Sequence, residues 1–188
     1  MKNKIKTVQF KRKRKGLTNY KKRQQLLISR QCRVIVRKTN KHLILQAATF
    51  DPKGDKVLIT ITTKDLEKQG WKGNTKNTSA AYLIGLIFGK KAKEKGIKKL
   101  IPDLGIYTPV KGCKLFAALK GIKDAGAEIS LSETVVPSED RIKGQHLVKW
   151  AEKANEKDPN HFKKYAKKTL DIKKLVQHFE EIKNKILK

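Results

Sequence analysis

The sequence predicts an α/β fold: a mixed sheet begun by a three-stranded antiparallel meander, followed by α-β-α, with a basic N-terminal arm and a C-terminal helical extension. Three observations predict it. Strand-like alternation runs from Arg33 to Thr62, a helical period takes over near Asn77, and strand and helix patterns alternate after that.

Residues 1 to 16 hold few apolar side chains and end in Lys11-Arg12-Lys13-Arg14-Lys15-Gly16. Such a run repels itself until it is neutralised, so it reads as a tail that folds on its partner. Thr18 is placed to cap a helix through Ser29, with Tyr20, Leu26 and Leu27 inward and Lys21, Lys22 and Arg23 outward. Arg33-Val34-Ile35-Val36-Arg37 and His42-Leu43-Ile44-Leu45-Gln46 flank the turn residues Thr39-Asn40-Lys41, which is a hairpin. Asp51-Pro52-Lys53-Gly54-Asp55 makes a second turn, and Lys56 to Thr62 alternates aliphatic residues with Thr as the third strand.

Residues 64 to 76, with Gly70 and Gly73 around Trp71, read as a loop. Replacing Gly73 by Val is expected to harm the loop if it needs positive φ there. Asn77, Thr78 or Ser79 then caps a helix to Lys95 that Gly96 stops. Its first half, Ala80 to Phe88, is apolar nearly all round and is expected to be packed on more than one side as the central helix of the core. Lys99 to Leu104 reads as a strand, Pro102 favouring an edge or a strand end. A loop through Pro109 and Gly112 leads to a helix from Cys113 with Leu115, Phe116, Leu119 and Ile122 on one face. From Gly126 to Lys143 the pattern is irregular. Helical periodicity returns at Gln145 to Asn155 and, after Asp158-Pro159-Asn160, at Leu170 to Leu187. The expected division is a basic arm (1–16), an α/β domain (17–144) and a helical extension (145–188).

The chain has 188 residues, 38% of them hydrophobic, enough for one modest core. Against that core stand 46 Lys plus Arg and 17 Asp plus Glu, a formal charge of +29. So large an excess calls for a polyanion. The first fifty residues contain sixteen bases and no acid, so the partner is expected mainly against the N-terminal portion. The longest nearly apolar run, Ala80 to Gly89, is far short of the roughly 20 residues that span a bilayer, and the basic start is not followed by a signal peptide's apolar stretch. No membrane partner is expected, and a cytosolic setting is. Cys32 and Cys113 stand far apart and read as small packing residues.

Catalytic patterns do not assemble. Gly85-Leu86-Ile87-Phe88-Gly89-Lys90-Lys91 has three residues between its glycines where a phosphate loop has four, lacks Ser or Thr after Lys, and sits in an apolar helix. His42, His146, His161 and His178 show no metal spacing. Asp51, Asp103 and Asp124 are too sparse for the clustered carboxylates of a magnesium-dependent nuclease. Neither enzymatic activity, cofactor, metal nor small-molecule substrate is expected. Phosphate neutralisation by Lys and Arg suits RNA, with Phe10, Tyr20 and Trp71 as aromatics near basic residues for stacking on unpaired bases. A general architectural nucleic-acid binder is the alternative.

Five stretches carry a resemblance: Phe10 to Tyr20, Arg33 to His42, Gly70 to Tyr82, Phe116 to Gly126 and Pro137 to Gly144. In order and content they resemble the archaeal branch of ribosomal protein eighteen of the large subunit, related to the eukaryotic 5S-binding large-subunit protein. Departures fall at Cys32, Lys76 and Ser79, where Pro, Gly and Pro are common in the family, and at Ser130-Leu131, where Pro-His is. The resemblance implies a mixed-sheet α/β domain that binds 5S ribosomal RNA. It also implies a place in the central protuberance beside large-subunit ribosomal RNA and neighbouring large-subunit ribosomal proteins. Carried over by position, the family's basic arm falls on Lys11, Arg12, Lys13, Arg14 and Lys15, and its strand-and-turn surface on Arg33, Arg37, Asn40 and Lys41. The Gly-Trp-Lys-Gly loop with Trp71 and Lys72, followed by Asn77 and Thr78, matches too. With Phe10, Thr18, Tyr20, Arg23 and Arg141, these are the residues expected at RNA.

Overall fold

The structure, a computed structural model, describes residues 7–155, 165 and 170–187. Lys2, Lys4 and Lys6 of the arm, the Asp158-Pro159-Asn160 break and His161 lie outside the described residues.

In the described residues the fold is a five-stranded mixed sheet with its core helices on one face. Strands β1 (Arg33–Lys38), β2 (Leu43–Thr49) and β3 (Lys56–Thr62) form the antiparallel meander; β4 (Lys99–Asp103) and β5 (Glu128–Ile129) add in parallel, giving the order β3-β2-β1-β4-β5. Alternation sends Val34, Val36, Leu43, Leu45, Ile59 and Ile61 to the helix-covered face, where all are buried. Arg33, Ile35 and Arg37 point to the other face.

Eight α-helices are described. They are α1 (Lys11–Arg14), α2 (Tyr20–Ile28), α3 (Asp65–Lys68), α4 (Thr78–Glu94), α5 (Lys114–Asp124), α6 (Glu139–Lys143), α7 (Gln145–Asn155) and α8 (Leu175–Leu187). The Asn77 side chain accepts from the Ala80 N–H to cap α4, and Gly96 follows its end at φ 69°. As its all-round apolar pattern requires, α4 is the core helix. It packs on the sheet, on α5 and on α8, where Phe179 meets Tyr82 at 5.9 Å between ring centroids. Leu175, Phe179, Ile182 and Ile186 are the buried stripe of α8.

The glycines of α4 have a packing reason. A Cβ on Gly85 would run into the carbonyl oxygen of Ala118, and one on Gly121 into that of Tyr82. With Gly89 facing Ile122 and Ala125, the contacts advance together along both helices, so α4 and α5 run parallel at close approach.

Several local expectations are corrected. Asn19, not Thr18, caps α2; its carboxamide oxygen accepts from the Lys22 N–H at 3.0 Å. No residue of α2 is buried, and two of its supposedly outward cations turn to the body: Lys22 reaches the Gly105 carbonyl and Arg23 reaches Asp55. The loop after β3 contains α3, which buries Leu66. The irregular stretch after Gly126 holds β5, a 3-10 turn at Glu133–Val135 and α6. These elements are too short to show a period. Pro102 lies on an inner strand rather than an edge, but β5 pairs only with Lys99 and Leu100, so the proline stands beyond the end of that ladder.

Candidate nucleic-acid interface

The arm's described part is exposed and touches the body at Thr18 and Tyr20. Lys11 to Arg14 form one helical turn with no buried residue. Arg12 Nε donates to Thr18 Oγ1 at 2.9 Å, and the Phe10 and Tyr20 rings meet at 5.3 Å. Phe10 remains 72% exposed, which leaves a ring face for a base.

Behind the arm, α2 is tied to the body through Lys22 and Arg23 and bounds, with β1, a cleft of about 530 Å³. Arg12, Thr18, Tyr20, Lys22, Arg23 and Arg37 line it, with Ile35, Asp55, Asp103, Gly105 and Ile106. Five residues singled out from sequence, Arg12, Thr18, Tyr20, Arg23 and Arg37, thus come together across three elements. Lys22 and the residues after β4 were not foreseen, because only the fold brings them to the cleft.

An ion-pair network forms the floor. Arg23 grips Asp55 with two hydrogen bonds of 2.7 and 2.8 Å, Arg33 donates to Asp55 at 2.7 Å and to Asp103 at 3.0 Å, and Asp103 also accepts from the Gly105 N–H at 2.8 Å. The Arg23 hydrogen bond, with Arg33 adding to it and burial opposing, holds the Asp55 carboxyl below the usual carboxylate range. The network therefore persists through neutral and mildly acid pH, and its contribution is lost only as pH falls through that lowered value. Both carboxylates of the cleft are occupied by arginines, so Arg12, Lys22 and Arg37 face solvent against little opposing charge.

Two expected RNA contacts are corrected. Arg33 is fully buried, its guanidinium spent on Asp55 and Asp103, so it builds the floor rather than meeting a ligand. Trp71 is 2% exposed; its indole donates to the Asn74 carbonyl and stacks on His178 at 5.2 Å. Gly73 is tight for the same reason and not through positive φ: a Cβ there would strike the Trp71 ring. The His178 Nε2 accepts the Lys72 backbone N–H at 3.1 Å, so α8 fixes the loop while the Lys72 side chain is exposed. Burial lowers the His178 pKa, which favours the neutral ring that this acceptor role needs.

The other residues are dispersed. Asn40 and Lys41 are exposed on the β1–β2 turn, Asn77 and Thr78 are half-buried at the start of α4, and Arg141 is exposed on α6, away from the cleft lining. Acids gather elsewhere: Asp124, Glu128, Glu133, Glu139 and Asp140 fall in a stretch without Lys or Arg. Asp124 accepts from Tyr82 and Asp103 binds Arg33, so the acids considered for a nuclease are each engaged separately.

The network gives a prediction whose sign runs against simple electrostatics. Asp55→Ala removes a negative charge from a surface that meets a polyanion, which alone would tighten binding. Cutting the latch instead frees α2 and leaves Arg33 with one partner, at a cost of about 3 kcal/mol. The expected result is weaker RNA binding and a lower melting temperature; tighter binding would show that α2 needs no latch.

A family model described as ribosomal large subunit proteins 60S L5 and 50S L18 matches residues 4–100. The matched stretch contains most of the arm, α2, the meander, the Trp71 loop and α4.

Proposed function

The chain belongs to this family of large-subunit ribosomal proteins, and on that premise we propose that it binds 5S ribosomal RNA and helps to anchor it to the large-subunit RNA in the central protuberance. The family assignment makes it a structural constituent of the large ribosomal subunit, with ribosomal RNA and ribosomal proteins as partners in the cytoplasmic ribosome. Its work is therefore binding rather than turnover.

The observation that carries the reading is the exposed basic arm leading into a cleft lined by Arg12, Lys22, Arg23 and Arg37. The arm's Lys11, Lys13, Arg14 and Lys15 neutralise phosphates and supply affinity. Phe10 and Tyr20 stack on bases that the RNA presents unpaired. Arg37, Asn40, Lys41, Lys72, Asn77, Thr78 and Arg141 widen the contact from the folded body. In this division of labour residues 1–16 give strength, residues 17–144 read shape, and within the extension 145–188 the helices α7 and α8 brace the core and the Trp71 loop.

Chemical footprinting of 5S ribosomal RNA with the full chain tests the reading. A confined set of protected nucleotides is expected. Protection spread evenly along the RNA would favour the architectural binder.

A further inference from the structure

We propose that Lys38, Lys76 and Lys114 form a second phosphate-backbone seat, on the helix side of the sheet, through which the chain holds a second RNA segment beside the one in the cleft. This rests on the reading that the chain binds ribosomal RNA.

The fold brings the three lysines together from distant positions. Adjacent residues of a strand point to opposite faces, so Arg37 enters the cleft while Lys38 turns to the helix layer. There the Thr75 hydroxyl donates to the Lys41 carbonyl at 3.0 Å, tying the loop before α4 to the β1–β2 turn. Lys114 Nζ donates to the Lys76 carbonyl at 3.2 Å, tying the start of α5 to the same loop. Tyr107 completes the junction: its hydroxyl donates to the Lys38 carbonyl at 2.9 Å, and the Lys38 ammonium lies 4.8 Å from its ring centroid. The ring orients that ammonium without neutralising it.

Lysines on a surface are usually only solvated, and what sets these apart is their company. Lys114 is partly buried, and its pKa is pushed down by burial first and then by Lys76 and Lys38. No carboxylate answers them among the described residues. Elsewhere lysines find acids, as Lys120 does in Asp124 and Lys143 in Glu180. Holding three cations together costs free energy that an anion returns. The parallel helices α4 and α5 also start here, at the C-terminal ends of β1 and β4, and their positive ends add to the same field. A chain of phosphates fits a row of point charges, and an opposite-face position makes it a different segment from the one in the cleft.

The experiment uses the full chain and a Lys38→Gln/Lys76→Gln/Lys114→Gln triple. A control triple, Lys93→Gln/Lys98→Gln/Lys149→Gln, changes exposed lysines, Lys93 lying at the far end of α4, about 22 Å from its start. Protein saturated with immobilised 5S ribosomal RNA is offered a labelled short RNA hairpin, and capture is followed against salt. The first triple is expected to cut hairpin capture about tenfold and to lower the salt slope by roughly 2 to 3 units. The control is expected to change little, and a Lys→Arg triple at the three positions to restore capture. Equal behaviour of the two Gln triples, with preference for 5S ribosomal RNA intact, overturns this inference alone. A wild-type chain without that preference overturns the reading beneath it.

Discussion

Removing residues 1–16 is expected to weaken binding to 5S ribosomal RNA by about a thousandfold at about 0.1 M salt, while the melting temperature hardly moves. The deletion takes eight positive charges. If half of them meet phosphates, the slope of log K against log salt falls by roughly 3 to 4 units, and a decade of salt below 1 M turns that slope into the affinity loss. The fold should survive because α1 buries nothing. Among the described residues, what the body loses is the Arg12 to Thr18 hydrogen bond, the bond from the Leu17 N–H to the Arg12 carbonyl and the Phe10 to Tyr20 contact, all at the surface. A salt titration beside a thermal melt checks both halves. An unchanged slope would mean that the arm stays free in the complex.

Gly85→Ala is expected to destabilise the protein by about 3 kcal/mol or more, lowering the melting temperature by roughly 6 to 12 °C. Propensity argues the other way, since Ala in place of Gly favours a helix by about 1 kcal/mol. Here the added methyl meets a carbonyl oxygen of α5, which cannot move aside as a side-chain tip does. Gly121→Ala should behave alike, because its Cβ would meet the Tyr82 carbonyl. Either helix must then shift, and α4 also carries contacts to the sheet and to α8. A higher melting temperature for Gly85→Ala would show that propensity wins and the helices are not in contact there.

The meander, α4, α5 and the apolar stripe of α8 were legible because each has a run long enough to display its period. Val34 and Val36 against Leu45 and Ile61 show how alternation alone sorts a buried face. Elements such as β5 and α6 were not legible: two to five residues are too few to repeat a period, and the strand that β5 pairs with is distant in sequence. In the site, the arm could be read directly, because exposure is the default for a run of like charge. Arg33 could not. Its burial depends on Asp55 and Asp103, which lie 22 and 70 residues away and are brought to it only by the sheet. Trp71 was ambiguous for a similar reason, since the ring that covers it, His178, comes from the last helix. The meeting of Lys38, Lys76 and Lys114 likewise exists only in the fold.

The most direct measurement is a competition between 5S ribosomal RNA and an unrelated RNA of equal length, run with the full chain and with the chain lacking residues 1–16. Charge supplies strength to both RNAs, whereas the cleft and the turn carrying Asn40 and Lys41 read shape. The expected result is preference for 5S ribosomal RNA by the full chain, retained after truncation although both affinities fall. Equal affinity of the full chain for the two RNAs, or a preference that vanishes with the arm, would contradict the account.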